Sequence, residues 1–142
     1  MVKEGDLIVS QRGSLGKVVF VDKDYGEMTI NPSLVLVNQI TEDPRFLWYY
    51  IQSNSILTQI DLIGSITTIP MLSQVEISSF QILIPTKSEQ QQIVEHLDKG
   101  TTKIDSTIGK ETQRIKLLKE YRQSLISNVV TGKVDVRDEV IE

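Results

Sequence analysis

Cysteine is absent from this 142-residue chain. Neither a disulfide nor a thiolate zinc site is therefore available to it, and that suits a cytoplasmic protein. Histidine occurs once, at His96, and aromatic residues make up only 6% of the chain. No apolar run approaches the ~20 residues of a membrane span, and the opening residues do not read as a signal peptide. An excess of basic charge is also missing. The net charge is -4, which speaks mildly against a general nucleic-acid binder. Four prolines occur, none of them between Ser88 and Thr131. At 39% hydrophobic and 24% charged, the composition is that of an ordinary globular domain. The length allows one domain plus an extension.

The proline-free stretch dominates the chain. From Val94 to Val129 its apolar residues keep one heptad frame without a stutter. Val94, Thr101, Ile108, Ile115, Arg122 and Val129 take the a position, and Leu97, Ile104, Glu111, Leu118 and Leu125 take d. A helix over Ser88–Thr131 would be about 66 Å long at 1.5 Å per residue. That exceeds a small domain, so it is expected to project and to find a partner helix. Val94, Leu97, Ile104, Ile108, Ile115, Leu118, Leu125 and Val129 are the expected interface residues. Ser88 is the expected N-cap, with Gln91 as its capping-box partner. Gly132 is the expected C-terminal cap. Gly100-Thr101-Thr102 is the weak point, where a kink competes with one continuous rod.

Charge is divided unevenly along the chain. Residues 1–85 carry 5 basic and 9 acidic side chains, and residues 86–142 carry 10 of each. Eight basic groups from Lys99 to Lys133 face only three acids, Asp105, Glu111 and Glu120. A solvated helix face is the plain reading, with partner choice through flanking Asp105, Arg114 and Lys119 next and phosphate contact third.

Ahead of the helix the pattern is α+β. Leu7–Ser10, Lys17–Val21 and Leu34–Val37 read as strands, the last apolar enough for burial on both faces. Asp22–Gly26 reads as a hairpin turn, and Asn31-Pro32 interrupts a further strand from Met28. Asp43-Pro44 opens a helix with Leu47, Tyr50 and Ile51 on its apolar face. Leu57, Ile60 and Ile63 suggest a second one. Val75–Ile77 and Phe80–Pro85 read as a final strand region. The expected sheet is mixed. The domain would end at residue 85, with the coiled-coil helix over 86–133 and a frayed acidic tail over 134–142.

Chemistry is hard to find. Gln11-Arg12-Gly13-Ser14-Leu15-Gly16-Lys17 is glycine-rich but is followed by a strand, which excludes a P-loop. A hairpin turn needing positive φ is favoured over a loop that lets Arg12 reach a phosphate or base edge. Asp22, Asp24 and Glu27 lack calcium-loop spacing. His96 has no nucleophile near it on the helix. Trp48, Tyr49 and Tyr50 could stack on bases, but Trp48 and Ile51 stand at core spacing. No nucleophile, base and orienter assemble. Catalysis, a metal and a cofactor are therefore not expected.

Several stretches together carry a likeness. They are Ile84-Pro85, Ser88-Glu89-Gln90-Gln91-Gln92-Ile93, Leu97-Asp98, Lys103-Ile104-Asp105, Leu117–Ser127 and Val130-Thr131-Gly132-Lys133. Upstream stand Gly5-Asp6-Leu7, Arg12–Gly16, Asn31–Leu34 and the loop from Gly64-Ser65 to Leu72. The chain resembles the specificity subunit of type I restriction-modification enzymes along almost all its length. The helix resembles the family's spacer, and residues 1–85 resemble the later part of a target recognition domain. The resemblance implies a non-catalytic, DNA-binding subunit that reads double-stranded DNA in the major groove. It also implies partners: the methyltransferase (modification) subunit, through it the restriction subunit, and another specificity half-subunit or a second copy through an antiparallel coiled coil. A family recognition domain is longer than residues 1–85, and a usual subunit carries two. The chain therefore reads as a fragment or half-subunit. On that reading the candidate DNA contacts are Arg12, Ser14, Lys17, Thr67, Thr68 and Gln74. The alternative is an assembly module that pairs through its helix and reads no DNA.

Overall fold

The computed structural model describes residues 1–64 and 71–137. The chain divides into two compact units, Met1–Leu97 and Asp98–Glu142.

The first unit is built on a small sheet. Strand β1 (Leu7–Ser10) lies between β2 (Val18–Phe20) and β3 (Leu34–Val37). Both pairings are antiparallel, with Ile8 opposite Val19 on one side and Leu36 on the other. The expected mixed sheet is therefore corrected to an antiparallel one. The reason is connectivity. A short glycine turn at residues 11–17 folds β2 directly back on β1, and the longer segment 21–33 carries β3 to β1's other edge. No hairpin forms at Asp22–Gly26, and residues 28–30 form no strand. β3 is an outer strand among the described elements. Of its residues only Val35 is buried, not both faces as expected.

β1 alternates as a half-buried strand must. Leu7 and Val9 point into the core, while Ile8 and Ser10 are half-buried on the other face. Two helices cover the core. Helix α1 (Pro44–Ile51) starts where Asp43-Pro44 predicts. The Asp43 carboxylate accepts from the Arg45 and Phe46 amides at 2.8 and 3.1 Å, and proline occupies the first turn. Helix α2 (Asn54–Gly64) buries Ile56 and Ile60 and half-buries Ile63. Leu7, Val9, Ile51, Ile56, Ile60 and Leu72 form the buried cluster. Each contributes roughly 1.5–3 kcal/mol by leaving water.

Two segments depart from the strands expected of them. Val75–Ile77 lies inside a short helix, α3 (Gln74–Ser78). Ser73 and Glu76 make a reciprocal capping box there: the Glu76 amide donates to Ser73 Oγ, and the Ser73 amide donates to Glu76 Oε2. That local pairing outweighs the β-propensity of two apolar residues. Residues 80–85 form no strand. Side chains of α1 and α2 take part of their backbone bonding instead. Gln81 exchanges two hydrogen bonds with the Gln59 amide, and the Leu83 amide donates to Tyr50 Oη at 3.1 Å.

Helix α4 (Lys87–Val130) is 44 residues long and continuous through Gly100–Thr102. The α+β class with a long C-terminal helix is thus as expected. Its N-cap is Thr86 rather than Ser88. Thr86 donates through N and Oγ1 to Glu89 Oε2 at 2.9 and 2.8 Å, and the Glu89 amide points back to Thr86 Oγ1. The acidic partner three residues on decides between the two hydroxyls, because a carboxylate accepts more strongly than the Gln91 amide could. At the other end, Gly132 takes φ +72°. Its amide donates to Val129 O, and Lys133 N donates to Asn128 O at 2.8 Å. This is a Schellman turn, and it stops the helix where the glycine predicts.

Candidate nucleic-acid interface and helix seam

The β1–β2 turn carries three of the candidate DNA contacts, Arg12, Ser14 and Lys17, all exposed. The turn itself is firmly held. Ser10 and Lys17 close it by backbone hydrogen bonding at 2.8 Å, and Gly16 N donates to Ser10 O. Gly16 adopts φ +70°, and a Cβ there would run into Ile60 Cδ1. The backbone conformation therefore favours glycine, and any side chain would also have to displace the Ile60 methyl.

The same turn meets the segment leading into α3. Leu72 N donates to Gln11 O at 3.0 Å, and Arg12 pairs with Met71 as a single β-bridge. The Arg12 Nε–H is directed at Met71 Sδ, 3.2 Å away. Thioether sulfur is a weak acceptor, so this contact holds the arginine lightly. Leu72 is fully buried and anchors the segment, and Gln74 follows as the exposed first residue of α3. Arg12 and Gln74 are therefore carried by adjoining segments, with Ser14 and Lys17 on the same turn as Arg12. Thr67 and Thr68 lie outside the described residues.

Trp48 belongs to the core side of its helix. Its ring is half-buried against the cluster, and Nε1 donates to Val18 O at 3.3 Å. His96 is exposed on α4. Among the described residues no group of histidine and acidic side chains is placed to hold a metal ion. No described helix is long and apolar enough to cross a membrane.

A polar clamp ties the start of α4 to the loop before α1. Gln90 has no exposed surface. Its Oε1 accepts from the Asp43 amide at 2.9 Å, and its Nε2 donates to Glu42 Oε2 at 2.7 Å and Pro85 O at 3.0 Å. Lys87 adds an ion pair to Glu42 at 3.2 Å and donates to Thr41 O. The sequence gives no sign of this role, because Gln90, Gln91 and Gln92 are three identical residues in a row.

The clamp sets the acid response of Glu42. The Gln90 hydrogen bond, then Lys87, holds its carboxyl below the ordinary value of 4.5. A carboxylate with a lowered folded-state value stabilises above its unfolded value, and that stabilisation disappears as pH falls through the folded one. Glu42→Gln should therefore lie below wild type in melting temperature at neutral pH, with the gap closing below pH 4.5. Melting curves from pH 7 to 3 check this; a gap that widens in acid contradicts it.

Along α4 the seam residues divide between the two units. Val94 is buried within the first unit, and Leu97 is half-buried there. In the second unit Ile104, Ile108, Ile115, Leu118 and Leu125 are exposed, from 46% at Leu125 to 59% at Ile104. Val129 is half-buried. An apolar stripe of this kind is what a helix shows when nothing in its own unit covers it.

Residues 1–117 match the family described as the type I restriction modification DNA specificity domain. The chain belongs to that family. The matched region takes in the clamp, the β1–β2 turn and most of α4. Among characterised relatives, this DNA specificity domain is 25% identical over 114 residues to the specificity subunit of the type I restriction enzyme EcoDI from Escherichia coli. That alignment covers 80% of this chain and 25% of the relative. It is 26% identical over 132 residues to the HindI specificity subunit of Haemophilus influenzae, covering 89% of this chain and 28% of the relative. The chain thus spans little more than a quarter of the length of these relatives.

Proposed function

We propose that this chain is a specificity subunit, as a fragment or half-subunit, of a type I restriction-modification system. Residues 1–85 read a target sequence on double-stranded DNA. Residues 86–133 serve as the spacer helix, and 134–142 as an acidic tail. The helix pairs with a second specificity helix and engages the methyltransferase subunit, and through it the restriction subunit. The chain itself performs no reaction and works in the cytoplasm. The observation that carries this reading is the family match across residues 1–117, which take in the globular unit and most of the helix. The exposed turn at Arg12, Ser14 and Lys17, beside the segment of Gln74, supplies polar groups of the kind that meet phosphates and base edges. Thr67 and Thr68 complete the proposed contact set.

The test is selection of a preferred sequence from a random DNA pool, followed by titration against salt. Affinity for the selected site should fall steeply with salt, as phosphate contacts require. Arg12→Ala should weaken that site by about 1–3 kcal/mol and relax preference at one base pair. An unchanged preference would remove Arg12 from the contact set. One observation favours a second reading, an assembly module that reads no DNA. Residues 1–85 carry 9 acidic against 5 basic side chains. Binding that is absent at low salt, with the methyltransferase subunit still captured, would decide for the module.

A further inference from the structure

Aromatic residues are few in this chain, yet three of the eight line one cleft of the first unit. They are Phe20 on β2, Tyr25 after it, and Trp48 on α1, the only tryptophan. The cleft has a volume of about 440 Å³, within the range of roughly 300–1,000 Å³ that ligand sites occupy. β2 is an outer strand of the sheet, and α1 meets it here: Trp48 Nε1 donates to Val18 O at 3.3 Å, which fixes the indole. Tyr25 is 52% exposed, and the neighbouring Val19 is 60% exposed. Aromatic and apolar groups left open together in a cleft, with a few polar groups among them, are what a ligand site presents.

The charged groups narrow the ligand. Asp22 and Arg45 both line the cleft. Asp22 Oδ1 accepts from Tyr25 Oη at 2.7 Å, which holds the ring and the carboxylate together. A carboxylate has about four acceptor sites, so Asp22 keeps capacity for the N–H groups of a ligand. Two cations already lie against the rings. The Arg45 guanidinium stands 5.9 Å from the Phe20 ring centre, and Lys23 Nζ stands 5.2 Å from that of Tyr25. A cationic ligand would meet like charge there, whereas a phosphate would meet an arginine fork shaped to hold it. The set therefore calls for a planar ring with adjacent N–H donors and a phosphate attached. Guanine presents two adjacent donors, N1–H and N2–H, to a carboxylate that only accepts. Adenine and cytosine present one donor beside an acceptor whose lone pair would face the carboxylate, and uracil sets its one donor between two carbonyls.

We propose that the cleft between β2 and α1 binds a guanine nucleotide. The base stacks on Tyr25 and Trp48, its N1–H and N2–H donate to Asp22, and Arg45 meets the phosphate. The cleft uses none of the proposed DNA contacts and none of the seam residues of α4, and it does not rest on the specificity reading.

As the only tryptophan, Trp48 reports on the cleft directly. Guanosine monophosphate (GMP) titrated into the full chain should quench its fluorescence to saturation, with excitation beyond the absorption of the base. Adenosine monophosphate (AMP) should bind at least about tenfold more weakly, and ribose 5-phosphate should leave the signal unchanged. Tyr25→Ala should weaken GMP on the order of tenfold through lost stacking. Asp22→Asn should erase the preference for GMP over AMP, because an amide sets one acceptor beside a donor and so suits adenine. Arg45→Gln should weaken GMP and leave guanosine unchanged. All three side chains are exposed, so the variants should fold, and circular dichroism checks that they do. Absence of saturable quenching by GMP, equal affinity for GMP and AMP, or folded Tyr25→Ala and Asp22→Asn chains that behave as wild type would each overturn the proposal. A duplex carrying the selected target site, with its guanines paired, should not displace GMP. Displacement would put the cleft in the DNA interface and overturn a separate nucleotide site. Binding of GMP by a chain that selects no DNA sequence would uphold the cleft and count against the specificity reading.

Discussion

Gln90→Ala should lower the stability of the chain by about 2–4 kcal/mol, although alanine is a better helix former than glutamine. The substitution removes the acceptor of the Asp43 amide and the donor to Glu42 and Pro85 O. It also leaves a gap where a side chain was fully buried. Gln90→Glu separates hydrogen bonding from volume. It keeps the size but sets a second carboxylate against Glu42, where the amide now stands at 2.7 Å. Two carboxylates so placed raise each other's folded-state values, so the damage should be greatest at neutral pH. It should lessen as pH falls through those raised values. Urea unfolding at pH 7 and pH 5 measures both effects. A Gln90→Ala chain within 0.5 kcal/mol of wild type, an approximate bound for ordinary surface changes, would show that the clamp holds nothing.

Ile56→Ala should cost about 2–5 kcal/mol, whereas Leu57→Ala should cost little. Ile56 has no exposed surface and belongs to the central cluster, while its neighbour Leu57 is 39% exposed. Adjacent residues of almost equal volume thus separate packing from composition. Equal losses at the two positions would mean that α2 presents a different face to the sheet.

The Ile56 comparison also shows where the sequence was legible. Helix α2 was readable as an element, yet Leu57 rather than Ile56 was expected on its stripe. Ile56, Leu57, Ile60 and Ile63 fit two faces a residue apart, and only the burial of Ile56 in the cluster with Leu7, Val9 and Leu72 chooses between them. Strands β1 and β2 were readable because apolar residues sit between glycine-bearing turns. Helix α1 was readable from Asp43-Pro44, and α4 from its heptads and Gly132. The α3 segment was misread because Val75 and Ile77 alternate like a strand, while Ser73 and Glu76 sit at capping-box spacing. Residues 80–85 were misread because their sequence looks the same whether a strand or the side chains of Gln59 and Tyr50 complete their hydrogen bonds. Of the candidate contacts, the turn of Arg12, Ser14 and Lys17 was legible from its glycines. Its neighbour, the Met71–Gln74 segment, is brought beside it by folding over a long separation in sequence. Gln90 was illegible because nothing local distinguishes it from Gln91 and Gln92.

The open seam of α4 has a thermodynamic consequence. Beyond Leu97 the helix contains Gly100 and Gly109, each costing roughly 1 kcal/mol relative to alanine, and several threonines of low propensity. Helices in proteins draw most of their stability from packing of an apolar face, and here that face is exposed. On the proposed pairing, ordering of residues 98–130 and arrival of a partner helix would be coupled. Part of the contact energy would go into conformational entropy, so the association would be weaker than its apolar area alone would give. Its heat-capacity change would exceed that of two preformed rods, because part of the helix's own folding is counted within it.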